Sequence, residues 1–564
     1  MRRRLWLSVT ILVAGVGLLV AASFASASGS AHHAQALKKG GIWRYGTVGG
    51  ISHMDPQLAY VTSEWFLEYS TAAKLYNYPD KAGPRGSKLL PEVASKFTVS
   101  RNGRVYTFTI RKGFRFSDGS KVTARNFKWA IDRTANKALA SQGQPFITDP
   151  AGTNIVGAAK VAAGRAQHVS GVRAKGNKLI IRLTKPDGTF MSKITMPFFQ
   201  ATSTKLPLNK EITTVRNIRQ IPAAGPYAVS YYDPAQLVSV RRNPFYKAGP
   251  GRRRPHNLAG LDMQLNLNDQ TAFNQTMANQ LDEMQPVPPA EIAGLRRRFG
   301  INRTRFWAKP LNCTGYLPMN VARSLFKGNT SLRKAINYAV ARKDYVNQAG
   351  PGGGQPWTHL FNPGVPGWRA VNPYPLRPNL SQAKKLARGH FKSGKINVGF
   401  RSSGSINPNQ AQIVRRDLIR LGFKPNNINM KGYNGTTIYD VMGKRGTDLD
   451  MGVSMGWCSD YPDPYDWINV LLYGGSIHAE NNNNYSYFND PKWNRKMVKA
   501  AQLVGPKRYR VYSQLDIDIM KQAAPVAAER TYNNQYVFSN RINPKSLIYQ
   551  GIYQDWSIPA LALK

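Results

Sequence analysis

Two runs of alternating polarity, Phe97-Thr98-Val99 and Val105-Tyr106-Thr107-Phe108-Thr109-Ile110, flank the dipeptide Asn102-Gly103. Asn-Gly accepts the positive φ angles of a tight hairpin turn, and period-two alternation suits a sheet with one face buried and one solvated. A third run, Leu179-Ile180-Ile181-Arg182-Leu183, follows a second turn signal at Gly176-Asn177. Between these hairpins the period changes. Phe127, Ala130, Ile131 and Thr134 stand at i, i+3, i+4 and i+7, the stripe of an amphipathic helix, and Thr123 is placed to cap it. Sheet and helix share one stretch of chain, which makes the fold class α/β.

Helical stripes grow denser downstream. Leu332, Ala335, Ile336, Ala339 and Val340 form one behind a Thr330-Ser331 cap. Val414, Leu418 and Leu421 form another, ended by Gly422, and Pro506 opens a third carrying Tyr512, Leu515 and Ile519. Strands are expected at 396–400 and 449–454, and loops in the Pro/Gly-rich stretches 351–356 and 363–378. With 564 residues, 42% of them hydrophobic, the chain exceeds one small core and predicts two or three domains.

Met1-Arg2-Arg3-Arg4 precedes an uncharged, mostly apolar run over 5–22 and small residues over 23–30, with Ala25-Ser26-Ala27 offering a cleavage site. This is a secretory signal pattern, expected over 1–27, with a linker over 28–40. The alternative is an uncleaved membrane anchor. Export excludes nucleic acid as a natural partner, although 78 Lys and Arg against 30 Asp and Glu give a formal charge of +48. That charge either meets an anionic cell wall or membrane or is simply a solvated surface. The only cysteines, Cys313 and Cys458, are an even number in an oxidising compartment, which invites a bond between them; two free buried thiols are the alternative.

Catalytic signatures are absent. There is no Walker-type phosphate loop and no G-x-S-x-G elbow. The eight histidines are scattered without metal-ligand spacing, and the glycines over 350–354 lack a following Lys-Ser/Thr. No cofactor, metal or enzymatic activity is expected.

Several blocks, in order, resemble the family 5 extracellular solute-binding proteins, the oligopeptide, dipeptide and nickel receptors of ABC importers. Met54-Asp55-Pro56 is similar to the family's "LDP", and Leu90-Pro91-Glu92-Val93-Ala94 to its "L-P-x-L-A". The longest match runs over 106–128, YTFTIRKGFRFSDG followed by VTARNFK. Gly225-Pro226-Tyr227, Arg242-Asn243-Pro244-Phe245-Tyr246, Leu332-Arg333-Lys334-Ala335-Ile336 and the WCSDYPDP segment 457–464 complete the series. The chain departs from the pattern at 122–126, which lacks an acidic residue before the helix. It departs again at Ser454, where oligopeptide receptors carry an arginine near the ligand's carboxylate.

The resemblance implies a two-lobed type II periplasmic-binding-protein fold with an extra subdomain in the first lobe. Lobe I would comprise 41–310 plus 525–564, with the subdomain over 75–190; lobe II would comprise 311–524. The late segments 536–538 and 552–563 are expected to rejoin lobe I. The implied function is an extracytoplasmic receptor, periplasmic or on the cell surface. It would be a monomer that captures peptides between hinged lobes and delivers them to a membrane permease. Alternatives are another cargo (metal chelate, opine or oligosaccharide) or a basic adhesive protein on the cell wall. The resemblance places Asp460, Trp457 and Tyr461 in the ligand site from one lobe, with Asp460 receiving the peptide's α-ammonium. From the other lobe it places Tyr60, Ser63, Glu64 and Trp65 there. Tyr465 and Trp467 are expected in the core.

Overall fold

The computed structural model describes residues 37–402, 406–434 and 437–564. The expected signal segment and positions 28–36 of the linker lie outside them; 37–40 is without regular structure.

An eight-stranded sheet gathers distant parts of the chain. Its order is Trp457–Cys458, Phe306–Pro318, Val526–Phe538, Glu283–Gln285, Ile42–Thr47, Gly260–Gln264, Leu237–Arg242 and Tyr227–Asp233. Ile42–Thr47 runs parallel to both neighbours, whereas the other pairs are antiparallel. Trp43, Tyr45, Tyr227, Val238, Val240, Leu261 and Met263 pack beneath it with Tyr536, Phe538 and Trp556 from the late segment. Fully burying side chains of this size contributes about 1.5–3 kcal/mol each. The late segment is tied in by polar contacts as well: Asn257 donates to the Ala560 carbonyl at 2.9 Å and Gln550 to the Gly86 carbonyl at 2.8 Å.

The hairpins of the sequence form a separate four-stranded antiparallel sheet, in the order Ala94–Val99, Val105–Ile110, Lys178–Arg182, Val172–Lys175. Gly103 and Gly176 turn with φ of 69° and 56°, values that cost glycine nothing. The helix Ala124–Ala135 lays Phe127, Ala130 and Ile131 inward, among Phe108, Leu179 and Ile181 of the sheet. A third sheet, parallel and three-stranded, joins Ile428–Tyr433, Ile396–Arg401 and Met451–Gly452. Helices Thr330–Ala339 and Ile406–Leu421 bury Leu332, Ile336, Val414 and Leu418 against it.

Two local expectations need correction. The helix at 330 is capped by Asn329, whose side chain accepts the Leu332 N–H at 3.3 Å, rather than by Thr330 or Ser331. An Asn side chain reaches back to an orphan donor as well as a hydroxyl does. The strand expected over 449–454 is confined to Met451–Gly452, because Ser454 turns into the left-handed region at φ 50°.

Phe306–Pro318 and Val526–Phe538, thirteen residues each, pair antiparallel from Phe306↔Val537 to Pro318↔Val526. The ladder is interrupted twice, between Pro310 and Thr314 and between Gly315 and Tyr316. At the second interruption Gly315 faces Arg530 and Tyr316 faces Ala528, so Glu529 is an extra residue. Such a bulge bends its strand and re-aims side chains.

Candidate functional site

The segment after Ser454 is fixed to the Phe306–Pro318 strand. Met455 N–H donates to the Tyr316 carbonyl and Ser459 N–H to the Asn312 carbonyl, both at 2.9 Å. Between them Trp457 pairs with Thr314 and Cys458 with Cys313. The two cysteines are joined as a disulfide, with Cα atoms 4.0 Å apart.

Next in sequence is Asp460. Its backbone N–H donates to Asp466 Oδ2 at 2.8 Å, in the first turn of helix Tyr465–Leu472. Its own side chain is half-buried and accepts from the Tyr60 hydroxyl at 3.0 Å. Among the described residues Asp460 forms no ion pair. Burial pushes its carboxyl up to about 7, against a lowering by the Tyr60 hydrogen bond. Burial pushes Asp466 well above the usual carboxylate range too, and the neighbouring Asp460 charge adds to the effect. One Asp466 oxygen, Oδ1, has no hydrogen-bond partner.

Tyr60 is held from below. Glu64 Oε1 accepts the Ser52 and His53 N–H groups, and Oε2 those of Tyr60 and Val61. Four backbone donors leave Glu64 occupied as a clamp on the loop that aims Tyr60. Trp65 is buried with its indole donating to the Ala59 carbonyl at 2.9 Å, and its ring lies 5.6 Å edge-on to Tyr60. Asp55, from the block similar to "LDP", makes a two-toothed buried pair with Arg133 at 2.7 and 2.8 Å, tying the same loop to helix Ala124–Ala135. Ser63 is half-buried on the first turn of helix Thr62–Thr71.

Tyr461 is buried in the core of the four-stranded sheet's side, edge-on to Phe146, with its hydroxyl unpartnered. Trp457 is buried in the opposite core. Tyr465 and Trp467 are core residues: the Tyr465 hydroxyl bonds Asp149, and the Trp467 indole donates to Ser459 Oγ at 2.8 Å. The structure thus brings Asp460 and Tyr60 together directly, sets Trp65 against Tyr60 and Tyr461 across Phe146 from it, and turns Glu64 inward.

A second polar group was not anticipated from the sequence. The bulged Glu529 is fully buried with neither carboxylate oxygen hydrogen-bonded, and burial pushes it up to about 7. Arg530 Nε forms an ion pair with Glu529 Oε1 at 3.8 Å without a hydrogen bond, and its guanidinium stacks 4.3 Å over the Tyr532 ring. Gly315 makes room for them. A Cβ there would come within 2.6 Å of the Tyr532 hydroxyl and 2.7 Å of Glu529 Oε1. The Tyr316 hydroxyl beside them is likewise buried and unpartnered. Native interiors rarely leave this many polar groups without a hydrogen bond.

Residues 88–479 match the family model described as bacterial extracellular solute-binding proteins, family 5 Middle. The chain is 22% identical over 445 residues to the glutathione-binding protein GsiB of Salmonella choleraesuis (strain SC-B67), covering 78% of this chain and 80% of that one. It is 23% identical over 513 residues to the dipeptide-binding protein of Escherichia coli (strain K12), covering 85% and 87%. Its fold is similar to that of the clavulanic acid biosynthesis oligopeptide binding protein 2, with a TM-score of 0.80 at 20% identity, over 93% of this chain and 96% of that one.

Proposed function

Because the chain belongs to family 5 of the bacterial extracellular solute-binding proteins, two-lobed receptors rather than enzymes, we propose that it captures peptides outside the cytoplasm and hands them to an ABC-transporter permease. The observation that carries this reading is Asp460, a half-buried carboxyl with a hydroxyl partner and no counter-ion. A peptide's α-ammonium supplies the missing charge. Enclosing an ammonium strips its water, and a carboxylate replaces that water with a charge-assisted hydrogen bond. Every free peptide has this ammonium, so the anchor is indifferent to side-chain sequence. Tyr60, Trp457 and Tyr461 would surround the amino end, with Ser63 at the rim. Glu64 and Trp65 act through Tyr60. Glu529 and Arg530 would meet polar groups further along the cargo.

In this reading lobe I comprises 41–310 plus 525–564, with 75–190 as its extra subdomain, and lobe II comprises 311–524. The paired strands Phe306–Pro318 and Val526–Phe538 carry the chain between them and serve as the hinge. The receptor acts as a monomer and performs no chemistry, since it must release what it binds.

Calorimetry with free and N-acetylated versions of the same peptide tests the proposal. Free peptides bind, acetylated ones bind poorly, and Asp460→Asn, which keeps shape and removes charge, loses about 2–4 kcal/mol for free peptides. Equal affinity for both forms, or an Asp460→Asn protein that is folded and undiminished, refutes the assignment.

A further inference from the structure

The outward face of the four-stranded sheet is a cation array. Register fixes its rows. Lys96, Thr109, Lys178 and Lys175 stand side by side across the four strands, and Thr98, Thr107, Ile180 and Arg173 form the next row. Arg182 follows opposite Val105. The intervening residues Phe108, Leu179 and Ile181 point into the core. Lys96, Arg173, Lys175 and Arg182 are exposed and Lys178 is half-exposed. Residues 94–112 and 172–185, which make this sheet and its turns, hold ten Lys and Arg and no Asp or Glu. That is about twice the density of the chain as a whole, so the face stands above an already basic background. Among the described residues none of the five outward cations forms an ion pair. Lys175 and Lys178 face each other directly, a like-charge pair that costs stability in an isolated sheet.

We propose that this face docks on a bilayer bearing anionic phospholipid headgroups. Its shape selects a membrane over a single polyanion strand. Four strands give a continuous patch roughly 14 Å across and about 17 Å along. Single-strand polyanion sites use a groove with stacking aromatics, whereas the aromatics of this sheet, Phe97, Tyr106 and Phe108, belong to its inner side. Threonines 98, 107 and 109 between the cations offer hydroxyls to phosphate oxygens, while Val105 and Ile180 add a shallow apolar contact. Docking of this kind would hold the receptor beside its permease without using the ligand site.

Vesicle co-sedimentation of the full chain tests it, using phosphatidylcholine with and without phosphatidylglycerol. The preference for phosphatidylglycerol vesicles is the readout, because any apolar affinity of the chain cancels in that ratio. Each surface cation contributes about a fivefold increment at low salt. Replacing Lys96, Arg173, Lys175, Lys178 and Arg182 by Gln is therefore expected to cut the preference by roughly three orders of magnitude. Added salt should erase it in the parent protein. A control neutralising the exposed Arg296, Arg297, Arg303, Lys327 and Lys343 keeps most of it. Should the fivefold variant misfold, Arg173→Gln with Lys175→Gln is expected to lose about 25-fold. The proposal fails if the face variants keep the parent's preference, if the control loses as much, or if soluble poly(glycerol phosphate) binds the face while vesicles do not.

Discussion

Asp460 and Glu529 are both carboxyls pushed up to about 7 by burial, the first beside the Tyr60 hydroxyl and the second 3.8 Å from Arg530. For Asp460 the consequence can be measured as protons. Near pH 7 the free receptor's carboxyl is about half protonated, and an incoming ammonium favours the ionised form. Binding therefore expels about half a proton at that pH. A carboxyl raised in the free receptor and lowered in the complex makes affinity rise with pH up to about 7, and above about 8 the peptide's own ammonium loses its proton and affinity falls again. Below about pH 7 each pH unit costs up to about tenfold. Asp466 shares the titration, so the apparent value belongs to the pair. Calorimetry in buffers of different ionisation heat checks this; affinity flat from pH 5.5 to 8.5 with no proton exchange contradicts it. Asp460 stands out as a candidate because W-C-S-D is a local motif. Glu529 does not, because its place depends on a bulge created by pairing with Gly315, more than two hundred residues earlier. Glu64 was legible in position but not in role, since four backbone donors converge on it only after the loop folds.

The strand Trp457–Cys458 is only two residues long, yet it holds the candidate anchor in place. Two ladder residues stabilise little, and the Cys313–Cys458 bond supplements them. The bond closes a loop of 145 residues, for which chain-entropy arguments give up to about 5 kcal/mol. Replacing both cysteines by Ser is expected to lower the melting temperature and to weaken peptide binding, because the bridge also fixes the register of Asp460. Intact mass should rise by about 2 Da on reduction, by stoichiometry of the bond. Two alkylatable thiols in unreduced, denatured protein contradict the pairing. Regular elements were largely legible. Asn102-Gly103 and the apolar stripes encode hairpins and helices within a dozen residues. Asn329 was overlooked as a cap in favour of its neighbours Thr330 and Ser331, all good cap formers. The short strand at 451–452 ends where Ser454 adopts a backbone conformation that no local pattern announces.

For the molecule as a whole, the proposed hinge predicts that a free peptide reduces the radius of gyration in small-angle scattering. Peptide demonstrably bound with no compaction would refute hinge closure. The Asp460→Asn variant should compact less at the same peptide concentration, in proportion to its lost occupancy. The family resemblance, not composition, made the two-lobed architecture legible; the +48 charge indicated an anionic surface without saying which face would meet it. The eight-stranded sheet has one more implication. Ile42–Thr47 lies beside Glu283–Gln285, whose other neighbour is Val526–Phe538, and Leu563 packs against Gly41. A ribosome delivers the first of these strands nearly five hundred residues before its sheet can be completed, and closing so long a loop is slow. Residues 319–524, by contrast, supply nearly all of one core, to which the two long strands add Leu317 and Ala527. Order of synthesis is therefore not order of completion: Ile42–Thr47 has both its ladder neighbours by residue 285, but the sheet stays open beyond Glu283–Gln285 until Val526–Phe538 arrives.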